Sequence, residues 1–318
     1  MGNRNNYINI MASLAQKIAA SSNQLRAGHG ACAGCAFPAI VRTVMAGSEK
    51  PLVISNATGC LEVTTTVYPR SAWNVNYIHS AFENAGATIS GVETAYRFLE
   101  KNKKIKEEYN FLAIGGDGGS YDIGLQSLSG ALERGHRFVY LCYDNGGYMN
   151  TGGQRSGATP FGADTTTDPT GSNKSGKNQN RKNFLEICIA HDIQYAAQAS
   201  VHNLPDLYRK AQKAFSYNGP TVLLVFSPCI TVWKFPTGKA VEIAQKAVES
   251  RFWPLYEYEN GQYTINYFPQ KYTPVEEFIR PQGRFHYLFQ NKNGQKIISQ
   301  IQNSIDLNWE KLLRKAEK

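Results

Sequence analysis

Six cysteines are placed so that four read as ligands and two as packing. Cys32 and Cys35 form a C-x-x-C within Gly28-His-Gly-Ala-Cys-Ala-Gly-Cys35; Cys60 closes Asn56-Ala-Thr-Gly-Cys60, and Cys229 follows Pro228. All four fall in turns at the ends of predicted elements, where separate segments can converge on one group. Cys142 and Cys188 sit inside apolar runs and read as inert core residues. Four thiolates suit zinc or an iron–sulfur cluster, both being Cys₄ chemistry. Structural zinc more often joins two C-x-x-C pairs, whereas here one pair meets two distant singles. That favours a cluster, with zinc and a redox disulfide as alternatives.

A second constellation is made of oxygen. Phe111-Leu-Ala-Ile-Gly-Gly116-Asp117-Gly118-Gly119-Ser is an apolar strand running into a glycine turn, and a helical pattern follows. Glycines let a ligand approach the backbone, and amides that open a helix favour an anion. A second apolar strand ends in Asp144-Asn145-Gly-Gly147-Tyr148-Met-Asn150-Thr151. Asp117 and Asn145 lie 145 − 117 = 28 residues apart, one helix plus one strand, which brings both to the same edge of adjacent strands. A carboxylate, an amide oxygen and a backbone carbonyl make an oxygen site suited to Mg²⁺ holding a diphosphate. A lone G-D-G is common, but G-D-G followed by Asn at the end of the next strand is similar to the thiamine diphosphate (ThDP) fingerprint. No G-x-G-x-x-G with a later acidic residue and no GxxxxGK[ST] is present, which disfavours a dinucleotide fold and excludes a P-loop.

The elements that must position these residues follow an α/β pattern. Near-continuous apolar runs at Leu52–Asn56, Phe111–Gly115, Phe138–Tyr143, Tyr195–Ala199 and Thr221–Phe226 predict strands buried on both faces of a parallel sheet. Helical periodicity covers Ala81–Leu99 and Tyr121–Leu132, and Leu204, Leu207, Tyr208, Ala211, Ala214 and Phe215 mark one helix face. The alternation predicts a doubly wound α/β layer. Residues 145–182 show no periodicity, as functional or mobile loops do. Residues 1–230 are expected to form the main domain. Residues 231–318, with a helical pattern at Ile298, Ile301, Ile305, Trp309 and Leu312, form an extension packing on it or on a partner.

The chain has 318 residues, 42% of them hydrophobic and 19% charged, which excludes a disordered chain or a coiled coil. Its net charge of +9 permits nucleic-acid binding, but the basic clusters Lys101–Lys106 and Lys174–Lys182 contain no aromatic residue and read as solvated. No apolar run reaches bilayer length and no secretory layout opens the sequence. A cytoplasmic protein with neither nucleic acid nor membrane as partner is expected.

With both constellations in one chain, roughly residues 25–260 closely resemble the β subunits of pyruvate:ferredoxin oxidoreductases, in the ferredoxin-linked 2-oxoacid oxidoreductase family. GHGACAGCAFP, NATGCLEVTTTVYP, SAWNVNYIHSAFENA, GGDGGSYDIGLQSLSGALERGH, CYDNGGYMNTGGQRSGATPFGA and SPCITVWKFP carry the resemblance, and TVYP and SPC…W…P lean toward the pyruvate branch. It implies a doubly wound, mostly parallel sheet of the ThDP pyrophosphate-domain type. It implies 4Fe–4S ligation by Cys32, Cys35, Cys60 and Cys229, and Mg²⁺ ligation by Asp117, Asn145 and the Gly147 carbonyl. Gly116, Gly118, Gly119, Tyr148 and Thr151 would contact ThDP, and Asn150 would reach the substrate. Ala36 stands where the family pattern has Gly. The implied reaction is oxidative decarboxylation of pyruvate with CoA to acetyl-CoA and CO₂, electrons passing through the cluster to ferredoxin. The same chemistry on oxalate, a branched-chain acid or 2-oxoglutarate is the alternative, as is a non-redox ThDP decarboxylase subunit. Implied partners are an α subunit supplying the glutamate beside the aminopyrimidine, a ferredoxin-like 4Fe–4S subunit and a CoA-binding subunit or domain. Glu62, Glu83 and Glu93 are the glutamates to weigh against that; Glu83 and Glu93 read as surface or interface residues.

Overall fold

The computed structural model describes residues 15–20, 23–171 and 174–317. The apolar runs become strands of one eight-stranded sheet: β1 (Leu52–Ala57), β3 (Asn110–Gly116), β4 (Val139–Asp144), β7 (Tyr195–Ser200) and β8 (Thr221–Phe226), joined by β2 (Asn76–Ser80), β9 (Tyr256–Glu259) and β10 (Gln262–Ile265). The order is β10-β9-β7-β8-β4-β3-β1-β2, and the six strands from β7 to β2 are parallel. All residues of β4, β7 and β8 are buried, which is why they read as unbroken apolar runs. β2 is an edge strand with three of five residues exposed, so it carries no such signal. A two-stranded ribbon, β5 (Thr170–Gly171) with β6 (Lys174–Ser175), lies in the long loop.

The helices are α1 (Phe37–Ala46), α2 (Cys60–Thr65), α3 (Ala85–Lys101), α4 (Leu125–Glu133), α5 (Phe184–Ile189), α6 (Leu204–Ser216), α7 (Ile230–Trp233), α8 (Ala240–Glu249), α9 (Val275–Ile279) and α10 (Gly294–Ala316). Pairs α1–α6 and α3–α4 pack closely at glycines: Gly47 against Ala211 and Gly86 against the backbone of Leu128. None of the described helices is long and apolar enough to cross a membrane.

Two local features differ from the sequence reading. Between β3 and α4 the chain makes a π-helical turn, Gly118–Ile123, so the helical pattern expected from Tyr121 begins as a wider coil. After residue 230 the chain supplies two strands of the main sheet, with β9 antiparallel to β7. Their turn, Asn260-Gly261, has positive φ at both residues, as a tight hairpin needs. The terminal helix buries Ile298, Ile301, Ile305, Trp309 and Leu312, the residues its periodicity marked.

Candidate cofactor-binding cleft

β1 leads toward edge strand β2 and β3 leads the other way toward β4, so the chain direction switches between β1 and β3. Crevices at such points, beyond the carboxyl ends of the strands, are where open α/β sheets bind ligands. A cleft lies there, lined by Thr58, Gly59 and Cys60 after β1, Gly116–Gly119 after β3, and Asn145 with Gly147–Thr151 after β4. Every residue assigned to ThDP, Mg²⁺ or substrate from the sequence therefore lines one cleft, and Cys60 lines it too.

Asp117 is buried at the floor. Its Oδ2 accepts from Ser156 Oγ at 2.5 Å and its Oδ1 from the Asn145 amide at 3.2 Å. Burial, then the nearby Asp144 carboxylate, pushes its carboxyl well above the usual range. Asp144 is fixed by Arg181 at 2.6 Å, Tyr121 at 2.7 Å and the Gly146 amide at 3.0 Å. The Asn145 carboxamide lies 2.9 Å from both Asp117 Oδ1 and the Gly147 carbonyl oxygen and, with its nitrogen toward them, donates to both. Turned over, it would set its oxygen beside those two acceptors, and a carboxylate, an amide oxygen and a backbone carbonyl are the donor types that suit Mg²⁺.

The glycine turn is cut to size. A side chain at Gly118 would come within 2.3 Å of the Tyr148 ring, whose hydroxyl donates to the Gly118 carbonyl at 3.1 Å. Asn150 and Thr151 are exposed at the cleft. Thr151 Oγ1 contacts Gln154 at 2.5 Å.

The loops that carry the four turn cysteines approach one another. Gly30 N donates to the Thr64 carbonyl at 2.7 Å, docking the C-x-x-C loop on the helix that Cys60 begins. Thr231 Oγ1 lies 3.7 Å from Cys32 Sγ, and Gly34 backs onto the Thr237 carbonyl so closely that no side chain fits. Burial pushes Cys35 and Cys60 up to about 12, and the thiols of this group reinforce the shift in one another. A binding cation or cluster would reverse that cost, because thiols ligate as thiolates. Among the described residues, no three His, Cys, Asp or Glu side chains close on a single ion. Cys142 and Cys188 are buried in the core.

Several residues were read differently from sequence. The cluster Lys174–Lys182, read as a solvated face or loop, is an exposed loop at Lys174 and at residues 178–180 but turns cations inward at Lys177 and Arg181. Lys177 is buried and donates to the carbonyls of Ser156, Gly157 and Thr159; Arg181 pairs with Asp144, and Lys182 with Asp122 at 2.6 Å. These cations brace the loop whose Ser156 holds Asp117. Their acidic partners lie in other elements, so local composition could not reveal them. Lys101–Lys106 is largely exposed, as expected. Glu93 is neither surface nor interface but buried, with Arg97 at 3.0 Å and His136 at 2.9 Å. Glu62 is buried, accepting from Thr66 and facing His79 at 3.5 Å. Thr58, Phe82 and Tyr143 of the cleft, and Ser156 beneath it, went unnoticed; Thr58 and Phe82 lie just beyond β1 and β2, Tyr143 lies within β4, and Ser156 lies in the long loop after it.

Residues 57–225 match the C-terminal TPP binding domain of the thiamine pyrophosphate enzymes. Across 96% of its length the chain is 50% identical to pyruvate synthase subunit PorB of Thermotoga maritima, covering 95% of that protein. It is 43% identical to ketoisovalerate oxidoreductase subunit VorB of Pyrococcus furiosus, over 92% of this chain and 93% of that one. Its fold is shared with 2-oxoglutarate:ferredoxin oxidoreductase from Magnetococcus marinus, at a TM-score of 0.53 and 21% identity, over 67% of this chain and 76% of that one. A thiamine pyrophosphate-binding domain at a sheet switch point, with full-length relatives of this identity, leaves one assignment: the chain belongs to the PorB family, subunits of the 2-oxoacid:ferredoxin oxidoreductases.

Proposed function

We propose that this chain is the ThDP-bearing β subunit of a pyruvate:ferredoxin oxidoreductase, which turns pyruvate and CoA into acetyl-CoA and CO₂ and delivers two electrons to ferredoxin. The observation that carries the reading is the meeting of the Asp117 carboxylate, the Asn145 carboxamide and the Gly147 backbone in a cleft that Cys60 also lines. Bound there, ThDP supplies the electron sink for decarboxylation and a 4Fe–4S cluster the single-electron outlet. Asp117, Asn145 and the Gly147 carbonyl hold Mg²⁺ against the diphosphate, and the bare backbone of Gly116–Gly119 lets the diphosphate approach. Tyr148 and Thr151 shape its rim. Asn150 directs its amide at the substrate carbonyl or carboxylate, an electrostatic role rather than proton transfer. Cys32, Cys35, Cys60 and Cys229 hold the cluster as thiolates.

The glutamate beside the aminopyrimidine comes, in this reading, from an α subunit. Glu62 and Glu93 are already engaged by their own partners. A ferredoxin-like 4Fe–4S subunit and a CoA-binding subunit or domain complete the relay to ferredoxin. Identity to a ketoisovalerate oxidoreductase subunit supports a second reading, a branched-chain 2-oxoacid as substrate.

The test is iron and acid-labile sulfide analysis of the anaerobic complex, with EPR after adding pyruvate and ThDP. About four irons on this chain, lost on Cys229→Ser, and a pyruvate-dependent radical signal are expected. Zinc, or no metal, in anaerobic material would overturn the redox reading. A higher kcat/KM for 2-oxoisovalerate than for pyruvate would replace the substrate.

A further inference from the structure

Tyr143 lines the cleft from β4 and has no part in the chemistry described above. It is 2% exposed, and its hydroxyl stands between two turns that line the same cleft. A side chain at Gly59 would meet the hydroxyl oxygen at 2.8 Å, and one at Gly116 would meet it at 3.3 Å. The Leu61 amide donates to that oxygen at 3.5 Å, a long bond that leaves the hydroxyl hydrogen unused. Among the described residues the hydrogen has no acceptor.

Three other hydroxyls line the cleft, and each already donates within the protein. Thr58 donates to the Ser80 carbonyl at 3.1 Å, Tyr148 to the Gly118 carbonyl at 3.1 Å and Thr151 to Gln154 Oε1 at 2.5 Å. Tyr143 differs from all three in being buried as well as uncommitted. A buried polar hydrogen left without a partner is costly, so its retention points to an acceptor that arrives with a ligand. No Lys, Arg or His lines the cleft. An anion bound there therefore depends on neutral donors beside any metal ion.

We propose that Tyr143 is a diphosphate-binding residue, its hydroxyl donating to a phosphoryl oxygen of the cofactor in the cleft. The inference rests on the ThDP assignment under Proposed function. A phosphoryl oxygen is anionic, and hydrogen bonds to ionised acceptors are about twice as strong as neutral ones. The ring is fixed before any ligand arrives, because β4 is buried along its whole length and Phe37 packs beside the phenol, ring centroids 6.1 Å apart. Binding therefore has no loose side chain to order here. Gly59 and Gly116, lacking side chains, leave the hydroxyl its place between the two turns.

The test is titration calorimetry of the cofactor-free anaerobic complex, first with pyrophosphate and Mg²⁺, then with ThDP and Mg²⁺. Tyr143→Phe removes the hydroxyl and keeps the ring. Both dissociation constants are expected to rise by the same factor, about 10–100-fold. The unfolding midpoint of the ligand-free complex is expected to hold or rise, since the variant removes an uncommitted buried donor along with one long bond. Unchanged affinities, or a loss for ThDP without one for pyrophosphate, would overturn the proposal. Weaker binding with a lower ligand-free midpoint would also overturn it and make the hydroxyl a structural group. If the wild-type complex binds neither probe, the ThDP assignment fails and takes this inference with it.

Discussion

Trp233 Nε1 donates to the backbone carbonyl of Asn145 at 2.9 Å, fastening the helix that follows Cys229 to the turn that carries the amide of the oxygen site. Both groups are buried, so the bond has no water to replace it. Trp233→Phe keeps most of the ring and orphans that carbonyl, at a cost of about 1–3 kcal/mol. The expected result is weaker Mg²⁺-dependent ThDP binding together with faster loss of iron. An effect on only one of the two would show that the bond does not couple them.

Ser156 holds Asp117 by a single short bond, and groups that orient ligands behave nearly as ligands do. Ser156→Ala is expected to weaken Mg²⁺-dependent ThDP binding about 10–100-fold while leaving the unfolding midpoint close to wild type. Titration calorimetry of the complex at fixed ThDP checks this; an unchanged affinity would remove Ser156 from the site.

Lys177 predicts a pH dependence. Burial first, then Arg155 and Arg181, pushes its ammonium down to about 8 from 10.5. Between those values the folded chain has lost this proton while the unfolded chain keeps it. The unfolded state then binds more protons, and stability rises with pH across that window. Denaturant unfolding at stepped pH should show this rise in the native chain and a flatter curve in Lys177→Met. Parallel curves would assign the rise to other groups.

Gly118 and Tyr148 form a size-matched pair. Gly118→Ala forces a methyl against the ring, at about 1–3 kcal/mol. Adding Tyr148→Ala should recover most of that loss, giving a strongly non-additive double-mutant cycle in unfolding free energy. Additive losses would mean that the strain lies elsewhere in the turn.

Glu93 is expected to matter for stability alone. Glu93→Ala leaves His136 without its buried acceptor and should cost about 2–3 kcal/mol in chemical unfolding. ThDP affinity should not change; if it falls, α3 reaches the cleft in a way its contacts do not indicate.

The doubly wound core was legible because parallel strands buried on both faces must be apolar throughout, as Leu141 and Val222 show. The meeting of Asp117 and Asn145 at one sheet edge was legible because one helix and one strand separate them. Edge strand β2 was not, since residues such as Asn76 and His79 face solvent and leave no period. The hairpin of β9 and β10 did announce itself: Asn260-Gly261 between Tyr-rich strands is a strong turn signal, overlooked because the surrounding stretch was read as an extension. The inward turn of Lys177 and Arg181 was invisible for a different reason. A charge run reveals its length but not its counter-charges, and those of Arg181 and Lys182 lie 37 and 60 residues back along the chain.

The thiol quartet has a consequence for biosynthesis. Its first and last members are 229 − 32 = 197 residues apart, and Cys229 follows the last parallel strand of the sheet. On the ribosome the C-x-x-C emerges early and has no companion until Cys60, while the fourth thiol arrives only after β8 is made. Any group gripped by all four must therefore be loaded after the six parallel strands have been translated, at the earliest while β9 and β10 are still to come. Until then Cys32 and Cys35 are a neighbouring pair free to oxidise to each other.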